Sequence, residues 1–191
     1  NFMMPGSKDL LTTTSFHMEV STVTVLETAK KMIDYSHGNL HDINHFMKVY
    51  AYAKMIADGE QLDPDTQKLV EMTALVHDIA CPLCRVKYGN TNGKNQEKES
   101  AALIAEFFKD SNLPQDFTDR ISFLVSHHHT LDQIDGIDYQ IIIEADYLVN
   151  ADESHFSGHN IKNMYDKIFK TETGKFLLRS MYQNCLENET L

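Results

Sequence analysis

From residue 20 to the C-terminus, apolar side chains return roughly every three or four positions, and the breaks between these stretches are short and rich in glycine, proline or asparagine. That period belongs to helices with one buried face, and it leaves little room for a sheet. Val23, Leu26, Ala29, Lys30 and Ile33 form a first stripe, which "SHGN" ends near Tyr35. Phe46, Val49, Tyr50, Ala53 and Ile56 form a second, with Asp42 as its expected N-cap and Gly59 at its close. Asp63 followed by Pro64 opens a third, in which Leu69, Met72, Val76 and Ile79 face a core.

The next segment, "CPLCRVKYGNTNGKN", breaks the period and reads as a loop. Helical spacing resumes through Ala101, Ile104, Ala105 and Phe108, and again through Phe117, Ile121, Leu124 and Val125. In "IDYQIIIEADYLVNAD" the isoleucine run suits a strand, but its length and the lack of a partner strand favour a helix. Two more helices are expected over residues 160–169 and 174–186. The predicted architecture is all-α, a single-domain helical bundle over residues 20–191, preceded by an N-terminal arm over residues 1–19.

A chain of 191 residues is long enough for one domain with a real core. Its net charge of −11 opposes binding to nucleic acid polymers or anionic membranes, and no apolar run approaches a membrane span. Three cysteines are too few for a secreted disulfide framework, so a reducing, cytoplasmic setting is expected. Phe176, Leu177, Met181 and Tyr182 in the tail suit a core or a homodimer interface equally well.

Ionisable residues on apolar stripes carry the chemical information, because burying one without a partner costs several kcal/mol or more. His45, His77, Asp78 and Asp146 fit that description. Asp146 has Ile142 and Ile143 one turn before it and Val149 one turn after, so it should point inward, where a cation would offset its charge. A lone inward histidine is more often a hydrogen-bonded core residue than a ligand. The adjacency of His77 and Asp78 at a helix end shifts that balance, since their side chains project about 100° apart and can reach one ion.

The order His45, His77 with Asp78, then Asp146, set in "HDINHFMKVYAYAKMIA", "ALVHDIA" and "EADYLVNAD", resembles the HD superfamily of metal-dependent phosphohydrolases over roughly residues 20 to 155. The resemblance implies an all-α bundle in which these four residues ligate a divalent metal, manganese or iron in preference to cobalt, nickel, zinc or magnesium. It also implies hydrolysis of a nucleotide or other small phosphate ester by metal-activated water, with Asp78, Asp146 and His128 as catalytic groups assisted by Lys94. Binuclear relatives suggest His128 and His129, and Glu97 in place of an expected histidine, as ligands of a second metal. His127 is a weaker candidate, and His41, four residues before His45, suits a supporting role. Lys87 and Lys94 in the expected loop are candidates for binding substrate phosphate. The rival readings are a binuclear iron oxygenase on the same scaffold and a noncatalytic nucleotide-binding module.

Cys81 and Cys84 form a C-x-x-C pair beside the His77–Asp78 pair, but no second such pair completes a four-thiolate zinc site and a helix rather than a strand precedes them. A structural role is expected for both.

Overall fold

The computed structural model describes residues 22–187, and the arm expected over residues 1–19 lies outside the described residues. Side-chain caps set most helix starts. Thr24 and Glu27 form a capping box at α1 (Val25–Tyr35), and Asn39 opens α2 (Leu40–Gly59) by accepting from the Asp42 amide. Asp63 opens α3 (Pro64–Val76) by accepting from the amides of Asp65 and Thr66. Asn39 therefore takes the capping position expected of Asp42, whose carboxylate instead binds Arg85 at 2.8 Å.

The stripe of α1 is also rotated from expectation: Thr28 and Met32 are buried, whereas Leu26 is 63% exposed and Ile33 39% exposed. Thr28 can face inward because its hydroxyl donates to the Thr24 carbonyl.

The expected long loop after Ala80 is mostly helix. α4 (Cys81–Tyr88) tolerates Pro82 because a first-turn residue needs no N–H partner, and it ends at Gly89, whose φ of 69° is left-handed. Asn92 then caps α5 (Gly93–Phe108), so only residues 89–92 separate the two helices. In α5 it is Ile104, Phe107 and Phe108 that are buried, while Ala101 and Ala105 are exposed.

α6 (Gln115–Val125) leads through a turn to α7 (Ile137–Glu153), in which every residue from Tyr139 to Val149 is buried. A helix buried around its whole circumference lies at the centre, and its three buried polar side chains, Gln140, Glu144 and Asp146, each have partners there. The isoleucine run is thus helical, with α7 packed on both α2 and α3. α8 (Gly158–Lys167), α9 (Glu172–Met181) and the short α10 (Gln183–Glu187) complete an all-α bundle, and no strand occurs among the described residues. In the tail, Leu178 joins the core, while Phe176 and Met181 are exposed.

Two apolar clusters flank α7. One joins Val49, Ala53 and Ile56 of α2 to Ile141, Ile142 and Leu148. The other gathers Phe46, Met72, Val76, Ile121, Leu124 and Tyr139. Each large side chain buried in this way contributes about 1.5–3 kcal/mol.

A buried carboxylate fastens the C-terminal helices to this frame. Glu144 accepts from the amides of Lys170 at 2.6 Å and Thr171 at 3.0 Å, from Gln140 Nε2 at 2.7 Å and from the Thr171 hydroxyl. Burial pushes its pKa up, and these donors act against that rise.

Candidate metal centre

His45 lies one turn before Val49 on the buried face of α2, His77 caps the C-terminus of α3, Asp78 sits in the turn leading to α4, and Asp146 projects from the middle of α7. Three helical segments separated in sequence thereby meet. His45 Nε2 stands 3.3 Å from His77 Nε2, 3.3 Å from Asp146 Oδ1 and 3.4 Å from Asp78 Oδ2. His77 Nε2 stands 3.5 Å from Asp146 Oδ1 and 3.6 Å from Asp78 Oδ2. Ligand atoms about 2.1 Å from a common ion lie about 3.0–3.4 Å apart, depending on coordination number, so these separations suit one cation.

The outward nitrogens explain why the inward ones face each other. His77 Nδ1 lies 2.8 Å from the Ala74 carbonyl and His128 Nδ1 lies 2.7 Å from the Val125 carbonyl. A carbonyl only accepts, so each Nδ1 carries a proton and, in the neutral ring, each Nε2 presents a lone pair. Glu153 Oε2, 2.8 Å from His45 Nδ1, fixes that ring in the same way. Lone pairs and two carboxylates thus crowd one point, and His128 Nε2, buried 3.6 Å from Asp78 Oδ1, has no hydrogen-bond partner among the described residues. Only positive charge relieves such a cluster. The donor set, imidazole nitrogen with carboxylate oxygen, fits a divalent metal.

Protonation shows the same demand. Burial opposes a charged His45 ring, yet Asp146 and Asp78 outweigh it and hold its pKa up to about 9. Burial likewise favours the neutral acids of Asp78 and Asp146, but the neighbouring imidazoles pull both below the usual carboxylate range. Asn150 Nδ2, donating to Asp146 Oδ1 at 2.8 Å, steadies that carboxylate further.

His128, His129 and Asp146 form a second group whose potential ligand atoms all lie within 4.8 Å of one another. Tyr139 brings this run inward by donating its hydroxyl to the carbonyls of His127 and Thr130. Gly93 permits close approach of α5, since a Cβ there would stand 2.7 Å from the His129 ring. Glu97 is turned to Thr130, whose hydroxyl it accepts at 2.9 Å, and is in none of the metal-competent groups among the described residues. His127 stacks on Phe123 with its Nδ1 on the Phe123 carbonyl.

A cavity of about 260 Å³ opens over the centre, lined by His41, Asp42, Arg85, Thr91, Gln96 and Glu153 together with His45, Asp78 and Asp146. Neither Lys87 nor Lys94 lines it. Lys87 pairs with Glu99 at 2.7 Å because α4 continues as a helix and turns that side chain towards α5, and Lys94 is exposed. Arg85, paired with Asp42, is the cation at this rim. Cys81 also lines the cavity, but burial pushes its thiol and that of Cys84 up, so both remain protonated and free. Sequence reasoning gave no role to Glu153, on the last turn of α7, or to Arg85; the facing of α2 and α7 that gives Glu153 its part is a tertiary fact.

A family model for the HD domain matches residues 42–152, more than half of the chain. The chain belongs to the HD domain family. The HD-domain centre implies divalent metal binding, which the cluster at His45, His77, Asp78 and Asp146 fits. Among solved structures, a predicted HD superfamily hydrolase from an uncultured Thermotogales bacterium is similar at 20% identity and a TM-score of 0.59, covering 84% of each chain. YpgQ from Bacillus subtilis is similar at 18% identity and a TM-score of 0.53, covering 85% of this chain and 94% of its own. At that identity the likeness is one of fold. No curated protein matches the sequence. Among the described residues, no helix of this HD-domain protein is long and apolar enough to cross a membrane.

Proposed function

We propose that this protein is a metal-dependent phosphohydrolase acting on a nucleotide or another small phosphate ester. The observation that carries the reading is the convergence of His45 Nε2, His77 Nε2, Asp78 Oδ2 and Asp146 Oδ1, with the outward nitrogen of each ring tied to an acceptor. Those four side chains would hold the ion, and manganese or iron suits the mixed donor set. A divalent cation there supplies Lewis acidity, making water a nucleophile near neutral pH and drawing charge from a phosphoryl oxygen.

The remaining steps belong to the chain. Arg85 at the cavity rim presents a guanidinium to the anionic end of a substrate, and its pairing with Asp42 orients the planar group. His128, with Nδ1 committed to a carbonyl, holds or delivers a proton only at Nε2, which faces Asp78. That places it to protonate the leaving oxygen, with Asp78 fixing the ring's aim. Asp146, held by Asn150, orients the attacking water. A second ion held by His128, His129 and Asp146 would take the His128 Nε2 lone pair in place of that proton, so the ring serves one role or the other.

The test is anaerobic purification with metal analysis, followed by a phosphate-release screen over nucleotides and other small phosphate esters. Metal-dependent phosphate release that Asp78→Ala abolishes is expected. Turnover that requires oxygen, or a metal-loaded protein inert to every ester, overturns the proposal.

A further inference from the structure

The cavity over the metal centre is not the only hollow that reaches Asp146. A second cleft of about 370 Å³ is lined by the polar His128, His129, Asp146 and Asn150 together with a largely apolar set that includes Leu131, Ile143, Tyr147, Phe156 and Met164. His129, Asp146 and Asn150 line both hollows, so the two adjoin across these side chains. Their chemistry differs. The first wall is charged, with Arg85, Asp42 and Glu153, whereas the second exposes more carbon than nitrogen or oxygen.

The apolar wall is held in shape before any ligand arrives. Phe156 reaches it through a chain reversal after α7, in which His155 adopts a left-handed φ of 50° and the Phe156 amide bonds back to the Ala151 carbonyl. A hydrophobic contact at that position commonly does no more than close a helix, and Phe156 does pack on Tyr147, ring centres 5.6 Å apart. Here, however, Phe156 also faces a cleft that leads to the metal centre. Tyr147 is braced from behind by Phe169 at 5.7 Å, and its hydroxyl donates to Asn160 Oδ1 at 2.6 Å. That bond ties Tyr147 to Asn160, which also lines the cleft. Leu131, 38% exposed, also lines the cleft.

We infer that this cleft is the subsite for the organic half of the substrate, and that it selects esters whose alcohol carries a flat, apolar ring. The inference rests on the phosphohydrolase reading for the placement of the phosphoryl group at His45, Asp78 and Asp146. A rigid cleft walled by Tyr147, Phe156, Met164 and Ile143 excludes water from a ring face and gains by apolar burial, which a compact polyol cannot match. The scissile bond then lies at Asp146 and Asn150, which line both hollows, with His128 behind them in the wall of the second.

The experiment compares 1-naphthyl phosphate with glycerol phosphate on the metal-loaded protein, and measures binding of phosphate-free 1-naphthol by its fluorescence, a clean signal because the chain has no tryptophan. Phe156→Ala and the milder surface change Leu131→Glu are each expected to lower the ratio of kcat/KM for the naphthyl ester over the glycerol ester by roughly tenfold. Both should weaken naphthol binding in parallel. A ratio unchanged in both variants, or naphthol binding that neither variant alters, overturns the inference while leaving hydrolysis intact. Variant-sensitive naphthol binding without hydrolysis of any ester supports the cleft and overturns the phosphohydrolase reading instead.

Discussion

Glu153 Oε2 accepts the Nδ1 proton of His45 across the gap between α7 and α2, while Lys48 Nζ holds the other oxygen of the same carboxylate at 2.9 Å. The pair makes the inward nitrogen of His45 more basic and fixes the ring plane. Glu153→Gln keeps the shape and removes the charge. It should weaken metal affinity by about 10–100-fold without changing the number of ions bound at saturation, a difference that competitive metal titration resolves. An unchanged affinity means the carboxylate does not tune the ring.

Protons and metal compete for the same cluster, and the competition has a sign. In the metal-free protein the folded pKa of His45, about 9, exceeds the unfolded value of about 6.5. Its contribution to stability is therefore fully present below about pH 6.5 and is lost as pH rises towards 9. Asp78 and Asp146 are depressed, so their contribution is present above about pH 4 and is lost as pH falls. The summed contribution of these three groups is therefore greatest between about pH 4 and 6.5, while His129, whose pKa burial presses down to about 4, works against it as pH falls through that window. Metal must displace the His45 proton, so affinity should rise by up to about tenfold per pH unit between about pH 6.5 and 9. Calorimetry in buffers of different ionisation enthalpy reads the released proton, and no release at pH 7 would contradict this account.

The parts of this site that were legible in the sequence are those written by local pattern. Asp146 is conspicuous because apolar residues surround it at helical spacing, and His77 with Asp78 because they end such a stripe. The α3 start was equally plain, since Asp63 and Pro64 act through backbone chemistry within one turn. What the pattern hid depends on contacts between distant segments. Helix α4 was masked by Pro82 and Gly89, which terminate a helix or open one according to position. The rotation of α1 turns on one hydroxyl, that of Thr28, satisfied within its own helix. Arg85 and Lys87 are two residues apart on a short helix, so a loop reading could not tell that Arg85 lines the metal cavity and Lys87 does not.

The cysteine pair separates a structural from a metal-binding reading. Cys84 is fully buried and Cys81 nearly so, both thiols are held protonated by burial, and neither belongs to a metal-competent group among the described residues. Cys81→Ser with Cys84→Ser should keep the metal content of the parent protein while lowering stability by about 1–3 kcal/mol, because two buried hydroxyls replace thiols without assured partners. Metal analysis of the folded double variant decides it. Loss of the ion at unchanged helicity would return the thiols to the centre.

Gly174 offers a test of the frame on which α7 and α9 are joined. In an ordinary helix, glycine to alanine stabilises by about 0.5–1 kcal/mol, because the unfolded chain loses freedom. At Gly174 the added Cβ would overlap Glu144 Oε2 and lie 2.6 Å from Thr171 Oγ1. Glu144 cannot yield cheaply, since moving it forfeits donors from Lys170, Thr171 and Gln140 and leaves a buried carboxylate unsatisfied. The sign therefore reverses, and Gly174→Ala should destabilise by about 2–4 kcal/mol. Chemical denaturation followed by circular dichroism measures the shift. Adding Glu144→Ala to the variant should recover less than the full loss, because the amides of Lys170 and Thr171 then lose their acceptor. A midpoint raised by Gly174→Ala alone would mean that α9 does not rest on Glu144.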